Sequence, residues 1–144
     1  MSLYSERLAH LKKEIALIKA KKSKKFKKNQ QIMIDFINGV TSKAIFEIKG
    51  RKITLFLGDE RKGFRHILEK HFCKGCEGEI EAMDILNLSD IAERGLQLAN
   101  EGVSNTNLEV FMSLKDQKEH RLVLKKVNDG SLVVTLYTKK CSDY

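Results

Sequence analysis

The sequence predicts an α+β fold in which a helical N-terminal half is followed by an antiparallel β-meander. Three observations predict it. Apolar residues recur at helical spacing as far as Ile37, and from Ala44 the period changes to strand-like alternation. Near the other end, Asn128-Asp129-Gly130 is a strong hairpin turn between two strand-like runs. The chain has 144 residues, 42% of them hydrophobic, which suits a single domain with a buried core and argues against wholesale disorder.

Tyr4, Leu8, Leu11, Ile15 and Ile18 draw one apolar stripe along a first helix. The stripe is also a coiled-coil seam, too short to be stable alone. It either packs on the domain, joins a further helix or pairs with a second copy as a homodimer. A second helix spans Gln30 to Ile37 and stops at Gly39. Ala44 to Ile48 and Ile53 to Leu57 read as a hairpin turning at Gly50-Arg51. Gly58-Asp59-Glu60 closes it, and a helix is expected from Arg61 to Phe72. After the loop Cys73 to Gly78, a weak helix is expected from Glu79 to Leu86. Another, capped by Ser89 with Asp90 in its first turn, carries Ile91, Leu96 and Leu98 and ends before Gly102. Leu108 to Leu114, His120 to Val127 and Leu132 to Thr138 complete the meander, whose strands need helices on one face.

Charge divides the chain into a basic helical arm, 1–30, and a single domain, 31–144. The arm holds ten Lys/Arg against two acidic residues, while the remainder balances at 17 of each, so the net +8 belongs to the arm. Seven of the ten residues from Lys19 to Lys28 are lysine. Lys24 and Lys25 lie in that run, and a phosphate backbone is its natural counter-surface. A solubilising tail and an acidic membrane surface are the competing readings. No apolar run approaches the roughly 20 residues needed to span a bilayer. Glu6, Arg7, Lys12, Lys13 and Glu14 interrupt any secretory signal, so no membrane partner and a cytoplasmic location are expected. Three cysteines, Cys73, Cys76 and Cys141, suit a reducing compartment rather than a disulfide scaffold.

Neither common glycine-rich phosphate loop, a Gly-x-Ser-x-Gly elbow nor a His-Glu-x-x-His motif is present, so no cofactor and no metal are expected. Three features carry chemistry. In Gly63-Phe64-Arg65-His66-Ile67-Leu68-Glu69-Lys70-His71-Phe72, His66 falls on the polar face with Glu69 and Lys70, and His71 on the apolar side. Either histidine is a proton-transfer candidate, against solvation for His66 and a core role for His71. On the last strand Thr135 and Tyr137 share one face, opposite Leu136 and Thr138, against a pure packing role. Arg121, Lys125 and Lys126 are nearby sources of positive charge. The run His71-Phe72-Cys73-Lys74-Gly75-Cys76 reads mainly as plain loop thiols, with zinc ligation and a redox pair as alternatives. His10 and His120 read as surface residues.

The stretch Gly63-x-x-His66-Ile67-x-x-x-His71, then mixed helices, then a meander ending in Val134-Thr135-x-Tyr137, resembles the phage-associated nucleases of the barnase, EndoU, colicin and RelE-like superfamily. The resemblance covers about Gly58 to Lys139 and excludes the arm. It implies a barnase/RelE-like fold and a metal-independent endoribonuclease, deployed as a toxin or phage-borne effector with RNA as substrate and an inhibitor or immunity protein as partner. The implied step is attack of the ribose 2′-OH on the adjacent phosphorus, giving a 2′,3′-cyclic phosphate. Carried over residue by residue, His66, His71 and Thr135 are catalytic. Arg65, Lys70, Arg121, Tyr137, Lys24 and Lys25 contact RNA or its phosphates. The sequence offers no clear catalytic glutamate. The alternative is a non-catalytic RNA-binding module that uses the lysine-rich arm.

Overall fold

Local chemistry decides where each element of the chain begins and stops. The computed structural model describes residues 2–21, 25–98, 108–115 and 117–140. The apolar stripe of the first helix, α1 (Leu3–Lys21), buries Leu11 and Ile15 and packs Tyr4, Leu8 and Ile18 against the core. The seam that the sequence offers for a homodimer is therefore covered by the chain's own core. The helix α2 (Lys28–Ile37) starts where the Gln30 side chain accepts the Lys27 N–H at 2.9 Å, and Gly39, at φ 79°, turns the chain away from it. Since α2 also packs inward, the lysine run is bracketed by two docked helices.

Strands β1 (Ala44–Ile48) and β2 (Arg51–Leu55) form the expected hairpin, displaced by about one residue in its turn. Lys49 and Gly50 both take positive φ, 53° and 76°, so Ile48 pairs with Arg51 and the second strand starts earlier than its alternation suggests. Phe56 and Leu57 leave the sheet, and their carbonyls accept the N–H groups of Phe64 and Arg65 at 2.9 and 2.8 Å. The helix α3 (Phe64–His71) is shorter than expected at its start, because the Asp59 carboxylate takes the N–H groups of Arg61 and Lys62 into a side-chain turn. From α1, the Arg7 guanidinium donates to the carbonyls of Leu68, Glu69 and Phe72 at 2.9 to 3.3 Å. It thereby caps the C-terminal end of α3.

Helices α4 (Ala82–Leu86) and α5 (Leu88–Arg94) follow. Ser89 is buried inside α5, and Asn87 occupies the N-cap position instead. Leu96 and Leu98 belong to a short strand, β3 (Leu96–Leu98), not to the preceding helix. Gly95 is extended, and a Cβ there would lie 2.3 Å from the Ile91 carbonyl oxygen. Gly102 lies outside the described residues. The meander is present as β4 (Leu108–Lys115), β5 (Lys118–Val127) and β6 (Gly130–Lys140).

Hairpin and meander join into one six-stranded sheet of order β1-β2-β6-β5-β4-β3. The join is a parallel contact between β2 and β6, Ile53 opposite Ser131 and Thr54 opposite Leu132. The fold class is thus α+β with a mixed, mostly antiparallel sheet. Leu11, Met33, Phe46, Phe64, Leu68 and Leu122 are among the fully buried side chains, so α1, α2 and α3 share one core with both parts of the sheet. No described helix is long and apolar enough to cross a membrane.

Because Leu11 is wholly buried, Leu11→Ala is expected to cost about 2–5 kcal/mol. Urea unfolding of the variant checks this, and a change within about 0.5 kcal/mol would show that α1 is not part of the cooperative unit.

Candidate active site

The site begins with an irregularity in β6. Leu124 pairs with Val133 and Val123 with Thr135, so Val134 is an extra residue, a β-bulge. The bulge frees the Val134 carbonyl, which accepts the N–H of Gly63 at 2.8 Å. Gly63 has φ 89° and ψ −165°, a region open to glycine alone, and a Cβ there would lie 3.0 Å from the Phe56 carbonyl oxygen. This contact fixes the start of α3 against β6, beyond the short stretch that β2 covers.

His66, Lys70 and His71 of α3, Thr135, Tyr137 and Lys139 of β6, Lys118 of β5 and the loop Gly75–Glu79 line a cavity of about 1030 Å³. The alternation expected for the last strand holds in part: Leu136 is buried away from the cavity and Thr135 and Tyr137 line it, but Thr138, though buried, lines it as well. The imidazole rings of His66 and His71 are 5.3 Å apart, and His71 lies 5.8 Å from the Tyr137 ring. Both histidines are half-buried.

Each imidazole is held in one tautomer. His66 Nδ1 lies 2.9 Å from the Glu60 carbonyl oxygen, and His71 Nδ1 lies 2.8 Å from that of Glu77. A carbonyl can only accept, so both Nδ1 atoms carry hydrogen and both Nε2 atoms are left for proton exchange. Burial pushes the His71 value below that of ordinary histidine. The neighbouring His66 and Lys70 push the same way, and together they outweigh the Glu77 carbonyl that favours the charged ring. The Thr135 hydroxyl is buried and has no hydrogen-bond partner. An unmade bond of this kind costs about 1–3 kcal/mol unless something binds there.

The structure thus brings together five residues singled out from the sequence: His66, Lys70, His71, Thr135 and Tyr137. Three others do not line the cavity. Arg65 is paired with Glu69 at 3.1 Å, Arg121 with Glu119 at 2.7 Å, and Lys25 is exposed beyond α1. Lys24 lies outside the described residues. Sequence reasoning missed the loop that closes the cavity. Glu79 Oε1 accepts the Gly75 N–H at 2.9 Å, so a carboxylate stands at the site after all. Gly78, at φ 68°, sits where a Cβ would lie 2.9 Å from His71 Nδ1. Its carbonyl accepts the Thr138 N–H at 3.1 Å. Thr138 in turn donates its hydroxyl to the Glu79 carbonyl at 2.6 Å. Gly78 was the one sequence signal of so tight a packing, since Gly75 has open space around it and only its positive φ calls for glycine.

Cys73 and Cys76 are joined as a disulfide, which corrects the reading of plain loop thiols. The reason is local: a turn closed by the Cys76 N–H on the Cys73 carbonyl at 3.2 Å brings the two Cα atoms to 5.4 Å. Cys141 lies outside the described residues. Among the described residues, no three His, Cys, Asp or Glu side chains gather in a metal-holding group. No protein-family model matches the chain, and no curated protein matches it.

Two outcomes are expected. Gly63→Ala should lose about 1–3 kcal/mol of stability and separate α3 from β6; retention of the wild-type melting temperature and of the His71 ring shifts would contradict this. In an NMR titration His71 should protonate at lower pH than free histidine. The lowered value also means that its contribution to stability is complete above the unfolded-state pKa and is lost as pH falls through the folded one.

Proposed function

We propose that this cavity is the active site of a metal-independent endoribonuclease of barnase/RelE-like type. It cleaves RNA by attack of the ribose 2′-OH on the adjacent phosphorus, with a 2′,3′-cyclic phosphate as product. The observation that carries the reading is the pair of imidazoles whose Nδ1 atoms are tied to carbonyls, beside a buried threonine hydroxyl that lacks a partner.

Cyclisation needs a base for the 2′-OH, an acid for the departing 5′-oxygen and cations around the phosphorane. His71, kept neutral by burial, takes the 2′-OH proton at Nε2 as the O–P bond forms. His66 gives a proton from Nε2 to the 5′-oxygen as the P–O bond breaks. Lys70, Lys118 and Lys139 supply charge to the non-bridging oxygens, and the Thr135 hydroxyl donates to one of them. Tyr137, beside His71, offers its ring to a base or its hydroxyl to a phosphate. DNA lacks the nucleophile and is spared. The lysine run from Lys19 to Lys28 supports long-range attraction of the RNA. An inhibitor or immunity protein would keep such an enzyme in check as a toxin or phage-borne effector.

A second reading, a non-catalytic RNA-binding module, is favoured by the same lysine run. The two separate on one assay: total RNA with the protein in excess EDTA, beside a His66→Ala/His71→Ala variant. The nuclease reading expects cleavage with cyclic-phosphate ends, reduced about 10²–10⁴-fold when a histidine is removed. RNA bound by folded protein but left intact gives the binding module instead. Thr135→Val should slow cleavage while leaving RNA affinity nearly unchanged, because the hydroxyl is asked to act on the transition state. With His71 as base, activity should persist below the pH at which free histidine protonates and fall as pH drops through the lowered His71 value. An acidic limb above the ordinary histidine value would remove His71 from that role.

A further inference from the structure

A buried histidine lies next to the site already described but outside its lining, opposite Thr138. His120 of β5 is only 6% exposed, contrary to its surface reading from the sequence, and its Nε2 lies 3.1 Å from Asp84 Oδ1 of α4. The other carboxylate oxygen accepts the Glu81 N–H at 2.8 Å. Burial works to raise the Asp84 carboxyl, but the His120 ring and the Glu81 N–H outweigh it and the group stays below the ordinary carboxylate value. Asp84 is therefore an anion that only accepts, and Nε2 carries the hydrogen between them. The remaining ring nitrogen, Nδ1, is buried and has no hydrogen-bond partner.

That nitrogen belongs to a residue lining a cavity of about 240 Å³, with Asn87, Asp90 and Arg94 on one side and Ser113 and Lys115 on the other. Ser113 is directly opposite His120 on β4, so the two side chains share a face. The Asn87 carbonyl oxygen is occupied by the Gln30 amide at 2.8 Å, which leaves the Asn87 amide hydrogens as donors. The walls thus offer two cations, a hydroxyl, an amide and one unsatisfied imidazole nitrogen, against two carboxylates. Asp84 is already taken up by His120 and the Glu81 N–H, so an anion here meets the Asp90 charge as well as Arg94 and Lys115. A smaller cavity of about 90 Å³, lined by Lys115, Lys118, His120 and Thr138 among others, lies between this place and the first site.

We propose that this cavity is a binding site for a phosphate monoester, whose phosphate shares one proton with His120 Nδ1 and takes Arg94 and Lys115 on its other oxygens. A phosphate monoester fits because its second ionisation lies near pH 6, so near neutrality it exchanges between a monoanion with a P–OH and a dianion that accepts only. Whichever of the two carries the proton, phosphate or ring, the hydrogen bond between them is made. A carboxylate or sulfate carries no proton of its own at neutral pH and can bind only the protonated ring, so it gains from one of the two states where phosphate gains from both. The proposal is independent of RNA cleavage and involves none of the residues assigned to it.

Inorganic phosphate, the smallest member of the class, tests it on the full chain carrying ¹⁵N-labelled histidine. A saturable shift of the His120 ring nitrogens is expected at about millimolar phosphate or below. Lys115→Ala, at an exposed position, should weaken it about tenfold, and sulfate should bind at least about tenfold less well. The His66→Ala/His71→Ala variant should bind as wild type does. An absence of shift at His120, an unchanged affinity in Lys115→Ala, or equal binding of sulfate would each overturn the proposal. So would loss of the shift in the double histidine variant, which would assign phosphate to the first cavity.

Discussion

One hydrogen bond organises the site: the Gly63 N–H donated to the Val134 carbonyl across the bulge in β6. A regular strand would spend that carbonyl within the sheet or aim it elsewhere, and a residue other than glycine would collide with the Phe56 carbonyl. Bulge and glycine are therefore two halves of one device. It sets the helix that carries His66 and His71 against the strand that carries Thr135 and Tyr137. Since β2 and β6 touch through only a short parallel stretch, α3 and the following loop are what cover this part of β6.

Around that anchor, the proton chemistry is governed by backbone carbonyls more than by carboxylates. The main-chain oxygens of Glu60 and Glu77 fix ring orientation and tautomer of the two histidines, and at His71 the Glu77 carboxylate adds its own pull toward the charged ring. A carboxylate partner would favour the imidazolium form strongly. A carbonyl does so weakly, and burial then dominates at His71. The disulfide between Cys73 and Cys76 lies in the same loop, a few residues before Glu77 and Gly78, so the loop that holds His71 is closed covalently at its start. On the neighbouring strand His120, opposite Thr138, is paired with the buried Asp84 carboxylate.

Much of this was legible in the sequence where one physical signal acted alone. The stripe of α1, the meander strands and the Asn-Asp-Gly turn each depend on neighbours in sequence and are where patterning puts them, except that β4 buries Glu109 and Phe111 and leaves Leu114 exposed, the reverse of the face its alternation offers. Thr135 and Tyr137 were legible because a strand alternates. Leu96 and Leu98 were misread because three residues of strand are too few to outvote a helical pattern, and Gly95 alone marks the break. Arg65 and Arg121 were misread for another reason. Both pairings are local, Arg65 with Glu69 four residues on in the helix and Arg121 with Glu119 two residues back on the same strand face, so helix and strand spacing already offered them as alternatives to phosphate. His120 was taken for a surface residue because a polar side chain in a charged strand gives no hint of an aspartate packed over it from a distant helix.

The strand order carries a consequence for how the protein is made. β6 follows all the other described strands in the chain, yet it lies in the middle of the sheet, between β2 and β5. A nascent chain that stops short of Gly130 holds a hairpin and a partial meander with nothing to join them. It also lacks Thr135, Tyr137 and the carbonyl that positions α3. Contacts between such distant segments form late, after the closure of a long loop. The cavity therefore cannot exist on an unfinished polypeptide. Assembly of the cavity is thus tied to completion of the last strand, without any additional factor.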